Sequence, residues 1–124
     1  MADRKMIEQF DDSPTMATYQ EIATTTQIYP REHAVFYPAL GLAGEAGEVA
    51  NKIKKIMRDT KGDVNNLPGE VKNQIASELG DCLWYISALA TDLGIGLDGV
   101  AFENIKKLDK RKEQGTIHGT GDDR

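Results

Sequence analysis

The apolar residues of this chain recur with the period of an α-helix, and that spacing restricts the fold more than any other feature. Leu42, Ala46, Val49, Ala50, Ile53, Ile56 and Met57 repeat at intervals of three, four and their sums, which lines one face of a helix from Pro38 to about Arg58. Ile75, Leu79, Cys82, Leu83, Ile86, Leu89, Ala90 and Leu93 do the same between Glu70 and Leu93. Met16, Tyr19, Ile22, Ala23 and Thr26 predict an earlier helix over 14–28, with Ser13 as its N-cap and Pro14 in its first turn. Val100, Ala101, Ile105 and Leu108 predict a last one over 97–114. The intervening segments, Asp59–Gly69 and Gly94–Gly96, are rich in loop-forming residues. No segment shows strand-like alternation, so the expected fold is an all-α bundle of four to five helices. Residues 1–13 are expected as a flexible arm, 14–114 as the helical domain, and 115–124 as a glycine-rich tail.

Charge narrows the function. Twenty acids against 15 Lys and Arg leave a net charge of -5, the wrong sign for a protein that neutralises a nucleic-acid backbone. Aromatics are 6% of the chain, too few for a single-strand stacking platform. The single cysteine, Cys82, excludes an internal disulfide and fits a reducing, cytoplasmic setting. The N-terminus lacks the apolar core of a signal peptide, and no apolar run is long enough to span a membrane.

Four acids stand apart from the rest by their placement. Glu45 and Glu48 form an E-x-x-E pair in the second helix, and Glu78 and Asp81 form an E-x-x-D pair in the third. Residues three apart share a helix face. At about 100° per residue, each pair lies at the same offset from its own apolar stripe. Antiparallel packing through those stripes would therefore bring all four carboxylates to one side of the helix seam. Clustered carboxylates repel one another unless a cation joins them. An all-oxygen site favours Mg²⁺, with Mn²⁺ as the next choice. Neither His33 nor His118 follows a glutamate by three residues, so the Glu-x-x-His signature of di-iron bundles is missing. Gly41, Gly44, Gly47 and Gly80 lie inside these helices, where glycine is costly unless backbones approach closely or a ligand needs room.

The stretches GLAGEAGEVANKIKKI, ELGDCLWYISALA and ENIKKLDKRKEQGTIHGTGDDR together resemble the MazG-like members of the all-α nucleoside triphosphate pyrophosphohydrolase superfamily. The resemblance runs from Pro38 to Arg124, with its extra length in the Asp59–Gly69 loop. It implies Mg²⁺-dependent hydrolysis of a nucleoside or deoxynucleoside triphosphate to the monophosphate and pyrophosphate. It also implies that Glu45, Glu48, Glu78 and Asp81 are the metal ligands and that helical protomers assemble as homodimers or homotetramers.

The residues support a matching division of labour. A carboxylate can orient the water that attacks the α-phosphorus, with Glu45 or Glu48 as general base. Lys52 and Lys55 on the second helix, and Lys107 and Arg111 on the fourth, are candidates to balance phosphate charge. Asn104 shares the stripe of Lys107 and Arg111 and is a candidate for sugar or phosphate. Tyr85 lies one turn beyond Asp81 and either stacks on a base or fills the core, whereas Trp84 suits the core or a subunit contact. His118 and the tail glycines are candidates to close over the nucleotide. The competing readings are a non-catalytic helical binding or oligomerisation module and a hydrolase of a related modified nucleotide.

Overall fold

The computed structural model describes residues 13–123 together with Glu8. The arm expected over 1–13 lies almost entirely outside them. Four α-helices follow in order: α1 (Met16–Thr24), α2 (Phe36–Thr60), α3 (Gly69–Asp92) and α4 (Leu97–Glu113), with a single 3₁₀ turn at Arg31–His33 between α1 and α2. The described residues contain no strand. The all-α expectation holds.

The first helix is shorter than its apolar spacing predicts. Its N-cap is Thr15 rather than Ser13, because the Thr15 hydroxyl accepts a hydrogen bond from the Thr18 N–H at 3.1 Å. Its C-terminus arrives at Thr24 instead of Ile28. There Thr25 and Thr26 donate their hydroxyls to the carbonyls of Ile22 and Ala23, at 2.7 and 2.6 Å. Side chains that satisfy the last carbonyls compete with continuation of the helix. The second helix, by contrast, starts two residues before Pro38. Proline is tolerated in the first turn because its missing N–H would have had no helical partner.

α2 and α3 form an antiparallel hairpin, the most extensive contact in the fold. Gly41 meets Tyr85, Glu45 meets Asp81 and Glu78, and Ile56 and Thr60 share a cavity wall with Val71 and Leu67. The two helices therefore stay in register along their length. α3 ends in a Schellman cap: Ile95 N–H reaches Ala90 O at 2.8 Å and Gly94 N–H reaches Thr91 O at 3.0 Å, with Gly94 at φ +69. The chain then turns through 103° into α4. Gln20 of α1 clamps this corner. Its amide donates to Thr91 Oγ1 and Ile95 O, at 3.1 and 2.9 Å, and its carbonyl accepts the Leu97 N–H at 2.8 Å.

A second clamp sits at the start of the hairpin. The Asp92 side chain is fully buried and accepts hydrogen bonds from Tyr29 OH at 2.6 Å, Arg31 Nη1 at 2.9 Å and the Val35 N–H at 2.9 Å. Val35 needs that anchor. It stands at φ 71 and ψ -53 between Ala34 O and Phe36 N, which are 2.8 Å apart. This is a γ-turn of the rarer, strained hand, unusual for a β-branched residue.

The expected apolar stripes exist but are only partly covered within the protomer. Ile22, Ala23, Ile56, Ala88, Ala90 and Leu97 are buried. Several stripe residues are not: Met57 is 65% exposed, Leu79 54% and Ile105 64%. Phe36 and Leu40, at the start of α2, are each 74% exposed. Four helices, of which only two pack along their length, leave too little interior for every stripe.

Burial alone would raise the Asp92 pKa, but the hydrogen bonds from Tyr29, the Val35 N–H and Arg31, with the Arg31 charge, outweigh it and lower it overall. A carboxylate with a lowered folded-state pKa contributes stability above its unfolded pKa and loses it as pH falls through the folded value. Asp92→Asn is expected to destabilise the protein at neutral pH by about 2–4 kcal/mol. Thermal unfolding between neutral pH and about pH 3 checks this: the wild-type advantage must shrink as the medium becomes acidic.

Candidate active site on the α2–α3 seam

Carboxylate oxygens of Glu45, Glu78 and Asp81 lie within 4.8 Å of one another. The antiparallel hairpin thus brings together one acid of the first pair and both of the second. Glu45 and Glu78 are half-buried and Asp81 is exposed. Glu48, one turn along α2 from Glu45, is exposed and stands outside this trio. Its charge still reaches Glu45.

The cluster's electrostatics are those of a site short of positive charge. Burial, then the charge of Asp81, then hydrogen bonding and charge from Glu78, push the Glu45 carboxyl above its usual range. Tyr19 of α1 is raised as well, by burial and by the Asp81 charge, which sets α1 along one side of the cluster. The cation beside the trio is Lys52, whose Nζ lies 3.5 Å from Glu78 Oε1. Three carboxylates in reach of one another suit a hard divalent ion with oxygen ligands.

Gly41 and the other three glycines of the two helices do different things. At Gly41 a Cβ would collide with the ring of Tyr85, so glycine is what lets Tyr85 lie across α2. At Gly44, Gly47 and Gly80 a Cβ would meet nothing within 4 Å. The face beside the acids is therefore open.

Tyr85 both packs and lines a cavity. Besides its contact with Gly41, its ring is edge-on to Trp84, with centroids 5.0 Å apart, and tilted against Tyr37 at 6.4 Å. Tyr37 stacks on Tyr29 at 4.6 Å. These four rings, with Thr26 and Ile28, surround an open cavity of about 230 Å³. Trp84 occupies the α1–α3 contact, its Nε1 donating to Thr26 Oγ1 at 2.7 Å.

The remaining candidates fall elsewhere. Lys55 joins Lys52 in a cavity of about 320 Å³ near the α2–α3 loop. Asn104 and Lys107 line a larger cavity on α4, about 840 Å³, with Lys106, Lys110, Asp122 and Asp123. None of the three clustered acids lines it. Arg111 is buried and bonded to the C-terminal segment. His118 is exposed. Sequence spacing missed Asp92 and the Tyr29–Tyr37 stack, because their partners are far apart in the chain and follow no helical period.

Residues 38–116 match the MazG nucleotide pyrophosphohydrolase domain. The chain belongs to the MazG family. It is 42% identical over 112 residues to the Gene 37 protein of Mycobacterium phage L5, covering 86% of this chain and 96% of that protein. It is 32% identical over 84 residues to the uncharacterized protein YvdC of Bacillus subtilis (strain 168), covering 66% of this chain and 79% of that one. No solved structure matches. Family membership points to nucleotide pyrophosphohydrolase activity, and the acid trio is a group that could hold a metal ion.

Repulsion within the trio makes a specific prediction. In metal-free protein at neutral pH, Glu45→Gln should raise the melting temperature, because it removes a charge that its neighbours oppose. Saturating Mg²⁺ should stabilise the wild type markedly and the variant far less. Thermal melts with and without Mg²⁺ check both signs.

Proposed function

We propose that the protein hydrolyses nucleoside or deoxynucleoside triphosphates to the monophosphate and pyrophosphate, and that Glu45, Glu78 and Asp81, with Glu48 beside them, would hold Mg²⁺. The observation that carries the reading is the meeting of Glu45, Glu78 and Asp81 within 4.8 Å on the seam of a MazG domain.

The bound ion would offset triphosphate charge and polarise the phosphoryl oxygens. The chain's own residues supply the rest. Glu45 or Glu48 would serve as general base, orienting the attacking water. Lys52 sits against Glu78 at the edge of the cluster and would supply positive charge to the phosphates. The open face at Gly44, Gly47 and Gly80 leaves room for the nucleotide. The aromatic cavity bounded by Tyr29, Tyr37, Trp84 and Tyr85 offers a surface for the base, and its Tyr85 feels the charges of Glu45 and Asp81.

Assembly belongs to the same proposal. Phe36, Leu40, Met57, Leu79 and Ile105 are each more than half exposed. Covering such a side chain contributes about 1.5–3 kcal/mol, so a homodimer or homotetramer would complete the stripes that the protomer leaves open. Light scattering at micromolar concentration should give a multiple of 13.6 kDa.

Incubation with the eight common triphosphates and Mg²⁺, followed by separation of products, tests the activity. Pyrophosphate and a monophosphate are expected from at least one nucleotide. Glu78→Gln and Asp81→Asn should each lower turnover by about 100-fold or more, since loss of a metal ligand removes several kcal/mol of transition-state stabilisation. No turnover on this panel, or on modified nucleotides, together with no Mg²⁺ binding by calorimetry, refutes the reading.

A further inference from the structure

Among the described residues, every donor to the Asp92 side chain comes from one short stretch of chain. Tyr29 OH and the Val35 N–H reach Oδ2 at 2.6 and 2.9 Å, and Arg31 Nη1 reaches Oδ1 at 2.9 Å. Gln27 Nε2 lies 3.4 Å from the same Oδ1. That stretch leads into one wall of the aromatic cavity. Tyr29 lines the cavity, as does Tyr37 two residues beyond Val35, and their rings stack with centroids 4.6 Å apart and planes 17° apart. The other wall stands on α3, which contributes Trp84 and Tyr85. Asp92 ends that same helix, about two turns after those rings. Its own side chain is fully buried and does not line the cavity. It joins the two walls from behind.

The join holds both rings of the first wall. The Tyr29 hydroxyl accepts from Gln27 Nε2 at 2.8 Å while it donates to Asp92, and the Arg31 guanidinium lies 4.5 Å from the centre of the Tyr29 ring. Tyr37 is held through the backbone, because the Val35–Asp92 bond fixes the turn just before it. That turn places a β-branched residue at φ 71. Strain of this kind persists where surrounding contacts over-determine it, and it concentrates at ligand sites.

We infer that Asp92 is a positioning residue for the nucleotide base: it sets the separation of the two cavity walls, and so how closely a base is gripped, without touching the base. The inference rests on the proposed activity for placing a base in this cavity. A carboxylate that served stability alone would give variants that melt earlier yet bind with unchanged affinity.

Tyr29→Phe is the sharper variant, because it keeps the ring and removes one bond to Asp92. The Val35–Asp92 bond, and with it the start of α2 and the pairing of the acids, stays in place. Asp92→Asn is the second variant, and both are measured in the full chain below the onset of their thermal unfolding. The probes are the four common deoxynucleosides, which carry base and sugar but no phosphate, in buffer with EDTA, so that neither metal nor acid cluster takes part. Trp84 is the sole tryptophan, and its emission reads the cavity directly. At least one deoxynucleoside should change that emission. Tyr29→Phe should bind it about two- to fivefold more weakly, within the range that one hydrogen bond is worth, and Asp92→Asn at least as weakly. Calorimetry should give Tyr29→Phe the Mg²⁺ affinity of the wild type. With a triphosphate that is turned over, Tyr29→Phe should raise KM by the same factor and leave kcat within about twofold. Unchanged deoxynucleoside affinity in Tyr29→Phe overturns the inference, as does a Trp84 emission that answers no deoxynucleoside, or a loss confined to kcat. A chain that behaves as expected toward deoxynucleosides but hydrolyses no triphosphate would refute the proposed activity and leave the role of Asp92 standing. Hydrolysis without deoxynucleoside binding would do the reverse.

Discussion

The grip of Asp92 on the segment before α2 fixes the geometry on which the rest of the fold depends. A buried carboxylate is costly unless it is fully bonded, and here Tyr29, Arg31 and the Val35 N–H complete it. Val35 is held in a strained turn immediately before the first residue of α2. The start of α2 is thereby tied to the last residue of α3. Every pairing along the hairpin follows from that tie. Gly41 comes opposite Tyr85, and Glu45 comes opposite Asp81 and Glu78. A slip of one residue would rotate the acids about 100° away from each other, so the register is as much a part of the site as the carboxylates.

Stability and chemistry pull against each other on this seam. The hairpin holds three carboxylates close enough to oppose one another, and Glu45 carries the clearest sign of it. Such strain persists only where surrounding contacts over-determine the geometry. Those contacts lie at either side of the acids: the Tyr85 ring laid over Gly41 toward one end, and Ile56 buried toward the other. α1 adds a third restraint by clamping the α3–α4 corner through Gln20.

Much of this was legible in the sequence, and the reasons differ by element. The helices of the hairpin could be read because a long apolar period is a local signal, repeated over about four to five turns. The meeting of Glu45, Glu78 and Asp81 could be read from matched offsets on two antiparallel helices, although the same offsets also placed Glu48 there and it stands outside the trio. The ends of α1 could not. They depend on which threonine hydroxyl wins a backbone group, at Thr15, Thr25 and Thr26, among several candidates of similar chemistry. Asp92 was invisible for another reason: its donors lie 57–63 residues away in sequence. The apolar stripes were read correctly as stripes, yet periodicity reports which face is apolar and is silent on what covers it.

Trp84 is the sole tryptophan of the chain, and its indole N–H is tied to Thr26. Its ring stands edge-on to Tyr85 and to Tyr29, centroids 5.0 and 6.4 Å away. The indole emission of this protein therefore comes from one place, half-buried between α1 and α3 and one ring removed from the carboxylates. Two of its four tyrosines lie at distances where excitation passes efficiently to the indole. The protein thus carries an intrinsic optical reporter at the joint between its first helix and its acidic seam, with no label to perturb either.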